Sequence, residues 1–311
     1  MEALTTAACV RSVAELRSIS AAAESLGVSQ PALSARIKKL EGQLGAQVFD
    51  RSRTPITITD AGRAYLETQE GIDALNRRLA QRISDLQDLK GGQLVVGGAS
   101  LFNSTVLARA IARFSAQYPG VSVRVVTDTV PNLTQAALSG AVDVFVTTIP
   151  NDNLNLESEE LLEEKVLLCT RASSPVVAQL PAAGKKGYAQ LDEESFKLLA
   201  QEPFIMLDSK LQLGRKLTQL FEHYDVQPAH SITVDQTSTG FALSLAGMGT
   251  CIIAQSAVQG FAAHADIALY LADQEICKRM LYVARLKSAS RSRAEEEFSK
   301  ILKDTAAGLN L

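Results

Sequence analysis

The sequence predicts a small helix-rich N-terminal module with a winged helix-turn-helix pattern, followed by a longer α/β region. Three observations lead there. Two helical segments are separated only by Gly27-Val28-Ser29, and a short apolar/polar alternation interrupted by Pro55 follows them. From about residue 91 onward, strand-like and helix-like patterns alternate to the end of the chain. At 311 residues, with 46% hydrophobic and 21% charged residues, the chain has the composition of a globular protein of two or three domains.

The first helix is expected over 4–16, with Leu4, Ala8, Val13 and Leu16 inward. Ser18 can cap the next helix, AAAESLG, which Gly27 ends. The third helix opens at Ser29-Gln30-Pro31. Ser29 suits an N-cap because its hydroxyl can accept from an orphan N–H of the first turn. Pro31 is tolerated there because first-turn N–H groups have no intrahelical partner to lose. Leu33, Ile37, Leu40 and Leu44 recur at helical spacing and predict the buried face. Gln30, Ser34, Arg36 and Lys38 are assigned to the polar face, as groups able to reach base edges or phosphates. The run VFDRSRTPITIT predicts a two-stranded wing carrying Arg51 and Arg53.

The net charge is −3, yet from Ser29 to Arg63 six cations (Arg36, Lys38, Lys39, Arg51, Arg53, Arg63) face three acids (Glu41, Asp50, Asp60). A local excess of +3 inside an acidic protein suits a module that touches phosphate with a few residues. Such a module needs a second copy to bind tightly. One long helix is expected from Asp60 to Lys90. Its Ile72, Leu75, Leu79, Ile83 and Leu86, spaced three, four, four and three apart, predict a coiled-coil seam with a twin helix. Lys90-Gly91-Gly92 then reads as a hinge-like break.

Beyond it, GQLVVGGAS is a strand, the helix STVLARAIARFSAQ stops at Tyr118-Pro119-Gly120, and VSVRVVTD is a second strand. LTQAALSG is a helix, and AVDVFVTTI and LEEKVLLCTRA are strands. Pro175, Pro181 and a Gly/Lys-rich loop mark a change of region. PFIMLD, a helix around Arg215 to His223, SITVD, TSTGFALSLAGMG and TCIIA repeat the alternation. YLADQEICKRMLYVARL returns as strands, and SRAEEEFSKILKDTAAGL is a C-terminal helix. Two similar halves with largely parallel sheets imply a hinged pair of subdomains, with ligands outside the C-terminal strand ends. Those ends offer Ser100, Thr129, Thr147 and Thr148, hydroxyls rather than catalytic groups.

Several classes are set aside on the same residues. Cys9, Cys169, Cys251 and Cys277 form no CxxC pair and have no nearby histidines, so they read as buried thiols; no metal site is expected. His223, His230 and His264 lie in no nucleophile-elbow context, and neither GxSxG nor a GxxxxGK[ST] phosphate loop is present. The run GGAS at 97–100 is too short for a dinucleotide fingerprint. The expectation is no enzyme, no catalytic residue and no cofactor. No run approaches eighteen apolar residues and no signal-peptide pattern opens the chain, so a cytoplasmic protein without membrane contact is expected. The rival reading is a solute-binding protein of a transport system, which shares a hinged fold but requires export.

The run VAELRSISAAAESLGVSQPALSARIKKLEGQLGAQVFDRSRTPITITDAG resembles the winged helix-turn-helix of LysR-type transcriptional regulators. YPGV, LSGAVDV and LAGMGTCIIA resemble that family's effector-binding domain, so the resemblance covers the whole chain in the family's order. It implies a type 2 periplasmic-binding-protein fold with two Rossmann-like subdomains. It also implies binding to double-stranded promoter or operator DNA, an unidentified small-molecule effector, and a homotetramer built as a dimer of dimers. The implied division is a DNA-binding domain at 1–60, a linker helix at 61–90 and an effector domain at 91–311. Within the last, subdomain I covers about 91–168 and 268–311, and subdomain II about 169–267. On this resemblance Ser29, Gln30, Pro31, Ser34, Arg36, Lys38, Arg51 and Arg53 bind DNA. Ser100, Leu101, Thr129, Val130 and Thr148 line one wall of the effector site, and Asp208, Ser209, Lys210, Gln236 and Thr237 the other. Arg17, Ile19 and Ala35 stand where the family usually has Gly, Phe and Arg, and Val130 where several members have Thr.

Overall fold

The computed structural model describes residues 5–52, 55–85, 91–150, 155–183, 187–261, 266–287 and 292–309. Leu4, Arg53, Leu86, Lys90 and His264, singled out above, lie outside the described residues. The chain divides into two compact units, an N-terminal one running to Ala80 that also takes in Ser139–Ala141, and an α/β one.

The N-terminal unit holds α1 (Thr6–Leu16), α2 (Ile19–Ser25), α3 (Gln30–Leu44), a wing of β1 (Phe49–Asp50) and β2 (Thr57–Ile58), and the start of α4 (Asp60–Asp85). The first three helices begin on hydroxyl caps. Thr5, Ser18 and Ser29 accept from the N–H groups of Ala8, Ala21 and Ala32 at 3.2, 3.3 and 3.3 Å. Helix α1 ends with Arg17 in the left-handed region at φ 51°, a conformation that costs a non-glycine residue about 1 kcal/mol. The wing strands are antiparallel, with Phe49 opposite Ile58. The core joins Cys9, Val10 and Val13 to Ala22, Leu33, Ile37, Leu40 and Phe49.

Two expectations fail here. The inward face of α1 is Ala7, Cys9, Val10 and Val13, and Leu16 and Leu44 are 46% and 45% exposed. Both leucines lie in the last turn of a helix that overruns so small a core. Along α4, Ile72, Leu75, Leu79 and Ile83 are 44%, 63%, 59% and 50% exposed, an apolar stripe open along the helix.

In the α/β unit, β3 (Gln93–Gly98), β4 (Ser122–Thr127) and β5 (Val144–Thr147) form a parallel set in the order β4-β3-β5. The chain leaves β3 through α5 (Ser100–Phe102), a π turn over Asn103–Leu107 and α6 (Ala108–Gln117), so this helical run starts four residues before the predicted Ser104. Helix α7 (Val130–Leu138) connects β4 to β5. Strand β6 (Leu156–Arg171) then carries the chain into the second half. There β7 (Ala189–Gln190), α8 (Glu193–Leu199), β8 (Pro203–Leu207), α9 (Gln212–His223), β9 (His230–Val234), α10 (Thr237–Leu245), β10 (Thr250–Ala254) and α11 (Gln255–Phe261) follow. Strands β10, β8 and β9 are a second parallel set in that order. Strands β11 (Ile267–Leu271) and β12 (Lys278–Leu286) and helix α12 (Arg293–Ala307) complete the unit.

The sheets are mixed rather than largely parallel, because β6 and β12 run antiparallel to one another as crossovers between the halves. Strand β11 pairs with β6 and β7 and buries Leu269 to Leu271 in the second core, so the chain returns to the first half at β12, not near 268. One core gathers Phe114, Phe298 and Leu281, with the two rings edge to face at 5.6 Å. The other gathers Phe196, Phe204 and Phe221. Each fully buried ring removes enough apolar area from water to contribute about 2–3 kcal/mol.

Candidate nucleic-acid interface and effector cleft

Leu33, Ile37 and Leu40 point α3 into the core, so the opposite side faces outward. At about 100° per residue, Gln30, Ser34 and Lys38 fall along one flank of that outward side. Ser29, Gln30, Pro31 and Lys38 are exposed and Ser34 is half-buried. Arg36 departs from the sequence reading. It lies about 160° around the helix from Ser34, and its Nη1 donates toward Cys9 Sγ of α1 at 4.0 Å. Together with Thr5, Thr6, Lys39, Gln43 and Tyr65 it lines a half-open cleft of about 550 Å3 between α1, α3 and α4. Arg51 has a partner within the module. Its Nη2 donates to Glu41 Oε2 at 3.0 Å, while Oε1 of the same carboxylate accepts from Val48 N at 3.0 Å. This pair fastens the wing to α3 and offsets the charge that Arg51 would bring to phosphate.

The strand register relates the strand ends of the two halves. Thr147 at the end of β5 lies opposite Tyr282, and β12 continues past it to Lys278, opposite Lys165 of β6. One residue further, Val166 lies opposite Ala254, the last residue of β10. The C-terminal ends of both parallel sets therefore face the crossing of β6 and β12 from opposite sides. Ser100, Leu101, Thr129, Val130 and Thr148 sit at such ends in the first half, and Asp208, Ser209, Lys210, Gln236 and Thr237 in the second. Leu101 packs against the core of the second half, so the two halves meet there.

The individual groups differ in what they can still offer. Ser100 is exposed, and the helical run it opens has no side-chain cap. The carboxylate of Asp128 accepts from Thr129 N and Asn132 Nδ2, each at 2.7 Å, so the start of α7 already carries an anion. Gln236 precedes α10 without capping it through its side chain. Thr147 Oγ1 is engaged in its own turn, accepting from Ile149 N at 3.1 Å. The loop 208–210 is held from both ends: Asp208 Oδ1 accepts from Lys210 N at 2.8 Å, and Arg215 Nη1 donates to the Ser209 and Lys210 carbonyls. Gly214 permits this packing, since a Cβ there would stand 2.4 Å from the Asp208 carbonyl oxygen.

Sequence reasoning missed what lies at the crossing itself. Glu164 Oε1 accepts from Arg279 Nε at 2.7 Å, and Oε2 accepts from Ser256 N at the start of α11 at 2.9 Å. The Arg279 guanidinium lies 5.1 Å from the centre of the Phe102 ring, directly after Ser100 and Leu101. One buried ion pair thus touches both halves. Only the unusual density of glutamates in ESEELLEEK hinted at it. Among the described residues, no group of three His, Cys, Asp or Glu is placed to hold a metal ion. Among them, too, no helix is long and apolar enough to cross a membrane.

Residues 4–63 match the bacterial regulatory helix-turn-helix protein, lysR family, and residues 87–307 match the LysR substrate binding domain. The chain is 27% identical over 301 residues to the "Probable RuBisCO transcriptional regulator" of Gracilaria tenuistipitata var. liui, covering 94% of this chain and 92% of that protein. It is also 27% identical over 243 residues to the "Uncharacterized HTH-type transcriptional regulator YcgK" of Bacillus subtilis (strain 168), covering 76% of this chain and 75% of that one. The crystal structure of CbnR, a LysR family transcriptional regulator, superposes with a TM-score of 0.72 at 20% identity, covering 97% of this chain and 98% of that chain. Full-length CbnR complexed with its target DNA superposes with a TM-score of 0.70 at 21% identity, covering 97% and 99%. At those identities the likeness to CbnR speaks for the fold alone. With both matches in order along one chain, this protein belongs to the LysR family and is a DNA-binding transcriptional regulator with an effector-binding domain.

Proposed function

We propose that this regulator reads operator DNA with Ser29, Gln30, Pro31, Ser34 and Lys38 of α3, and that a small molecule lodged between the two α/β halves alters the outcome. The facing C-terminal edges of the two parallel strand sets carry this reading. A ligand there can shift a conformational equilibrium only by making different contacts in the two states. Ser100 and Leu101 on one wall, with Gln236 and Thr237 on the other, would let one molecule favour one inter-subdomain angle. The side-chain-uncapped helix starts at Ser100 and Thr237 suit an anionic group, and Leu101 and Val130 suit an apolar body. At α7 the Asp128 carboxylate already holds the helix start, so an anionic group is assigned to the other two.

The assembly we infer is a dimer of dimers joined by the apolar stripe of α4 and working in the cytoplasm on double-stranded DNA. The chain acts by binding, without catalysis or cofactor. Its working division is 1–60 for DNA, 61–90 for pairing and 91–311 for the effector. Thermal-shift screening of the full chain against small metabolites identifies a ligand. Ser100→Val should then abolish the shift and the ligand's effect on the DNA complex while leaving operator affinity within about twofold, a change of less than about 0.5 kcal/mol. A normal response in that variant would place the effector elsewhere.

A further inference from the structure

We propose that the cleft between α1, α3 and α4 is a second DNA-backbone site, in which Lys39, with Arg36 and Thr6 beside it, holds a phosphate. The phosphate belongs to the strand opposite the one that Lys38 faces. The inference rests on the DNA-binding reading above and adds to it a site on the other side of the recognition helix.

The geometry follows from the buried stripe. Leu33, Ile37 and Leu40 fix the inward direction of α3. Stepping about 100° per residue from them puts Lys38 and Lys39 roughly 50° to either side of the outward direction. A helix about 10–12 Å across fills a major groove about 12 Å wide, so its outward residues and those of its N-terminal end, Gln30 among them, meet base edges, while its two flanks beyond that end meet the two backbones. Lys38 shares its flank with Gln30 and Ser34. Lys39 shares the other with Arg36 and Gln43, and that flank opens on the cleft walled by Thr5 and Thr6 of α1.

The chemistry of the two flanks differs. On the wing side, the Glu41 carboxylate is present and engages Arg51. Among the described residues, those lining the cleft include two cations, two hydroxyls, an amide and a phenol, and no carboxylate. Such a set can donate hydrogen bonds to an anion. Arg36, turned back toward Cys9, is held on the cleft side of the helix rather than in the groove. Both lysines are exposed, so neither must break a packed contact to reach a phosphate.

The test uses the full chain with two labelled duplexes of equal length: the intergenic DNA upstream of its own gene and a random sequence. Affinities are measured by fluorescence anisotropy from 50 to 200 mM salt, for wild type, Lys39→Gln and Lys38→Gln. Losing one phosphate contact lowers the slope of log affinity against log salt by about 0.9, so over this fourfold range wild type should lose about 3.5-fold more affinity than Lys39→Gln. The difference should appear on both duplexes. Methylphosphonates placed one at a time should find a single position at which wild type and Lys39→Gln bind equally, on the strand opposite the position found for Lys38→Gln. An unchanged salt slope for Lys39→Gln overturns the proposal. So does weaker self-association in sedimentation with no slope change, which assigns the cleft to the second copy. A loss confined to the upstream duplex also overturns it, because Lys39 would then read a base. A wild type that does not prefer the upstream duplex, combined with the slope change, would keep this site and remove sequence-specific reading instead.

Discussion

Replacing Glu164 by Gln perturbs the place where the two α/β halves are joined. The Glu164 and Arg279 side chains are 2% and 3% exposed, so their charges meet almost no water. Glu164 accepts two hydrogen bonds, from Arg279 Nε and from Ser256 N. A glutamine keeps one acceptor oxygen, so one of these bonds is lost and the guanidinium stays buried beside a neutral amide. Removing one partner of a buried pair costs about 3–5 kcal/mol. The retained hydrogen bond is worth about 1 kcal/mol, which puts the expected loss near the lower bound, about 3 kcal/mol. Removing both charges with apolar residues of similar volume, Glu164→Leu with Arg279→Met, should recover part of this loss and stop about 1–2 kcal/mol short of wild type, because Ser256 N loses its acceptor. Urea unfolding of the full chain, followed by tyrosine fluorescence, reads this directly, because five of its six tyrosines lie beyond residue 100 and the chain has no tryptophan. The midpoint for Glu164→Gln should fall by about 1 M or more at the urea dependence usual for a domain of this kind. An unchanged midpoint, or a double variant as unstable as the single one, would refute the assignment of this pair as the joint.

Two further outcomes follow from other parts of the chain. Leu75→Glu with Leu79→Glu places carboxylates at positions now 63% and 59% exposed, on a stripe that we expect a second copy to cover. Sedimentation should show dissociation, with operator affinity falling at least about tenfold because one weakly cationic module binds poorly alone. A monomeric variant that binds its operator as tightly as wild type would contradict the pairing. All four cysteines are buried, and a hydrogen bond with Cys169 together with burial pushes the Cys251 thiol well up. The native chain should therefore resist iodoacetamide at pH 8 and label fully only in urea. Rapid alkylation of any thiol in the folded chain would show that cysteine to be accessible.

What could be read from the sequence was whatever is local along the chain. The serines at 18 and 29 cap α2 and α3 through bonds three residues long, so composition and spacing were enough to place both helices. The parallel strands were legible because each is a short apolar run bounded by turn residues. The seven-residue helices α8 and α11 were not, since two turns carry too little periodicity to separate from a loop. Arg36 was assigned by polarity to the groove-facing side, whereas its angle from the buried stripe turns it toward α1. The Arg51–Glu41 pair and the Arg279–Glu164 pair join residues 10 and 115 positions apart, distances over which no pattern in the sequence reports contact. The effector walls were proposed from strand ends, and that reading left out Gln255 and Ser256, which follow β10, because the helix they begin was itself unread.

Sequence-specific DNA reading through the N-terminal flank of α3 is the claim on which the rest depends. The most direct measurement is fluorescence anisotropy of the full chain and of its Gln30→Ala variant on the intergenic DNA upstream of its own gene, against a random duplex at one fixed salt concentration. Wild type should prefer the upstream duplex by about 1,000-fold or more. The variant should lose about 1–3 kcal/mol on that duplex only, keeping its affinity for the random one. Equal losses on both duplexes, or no preference in the wild type, would contradict the account.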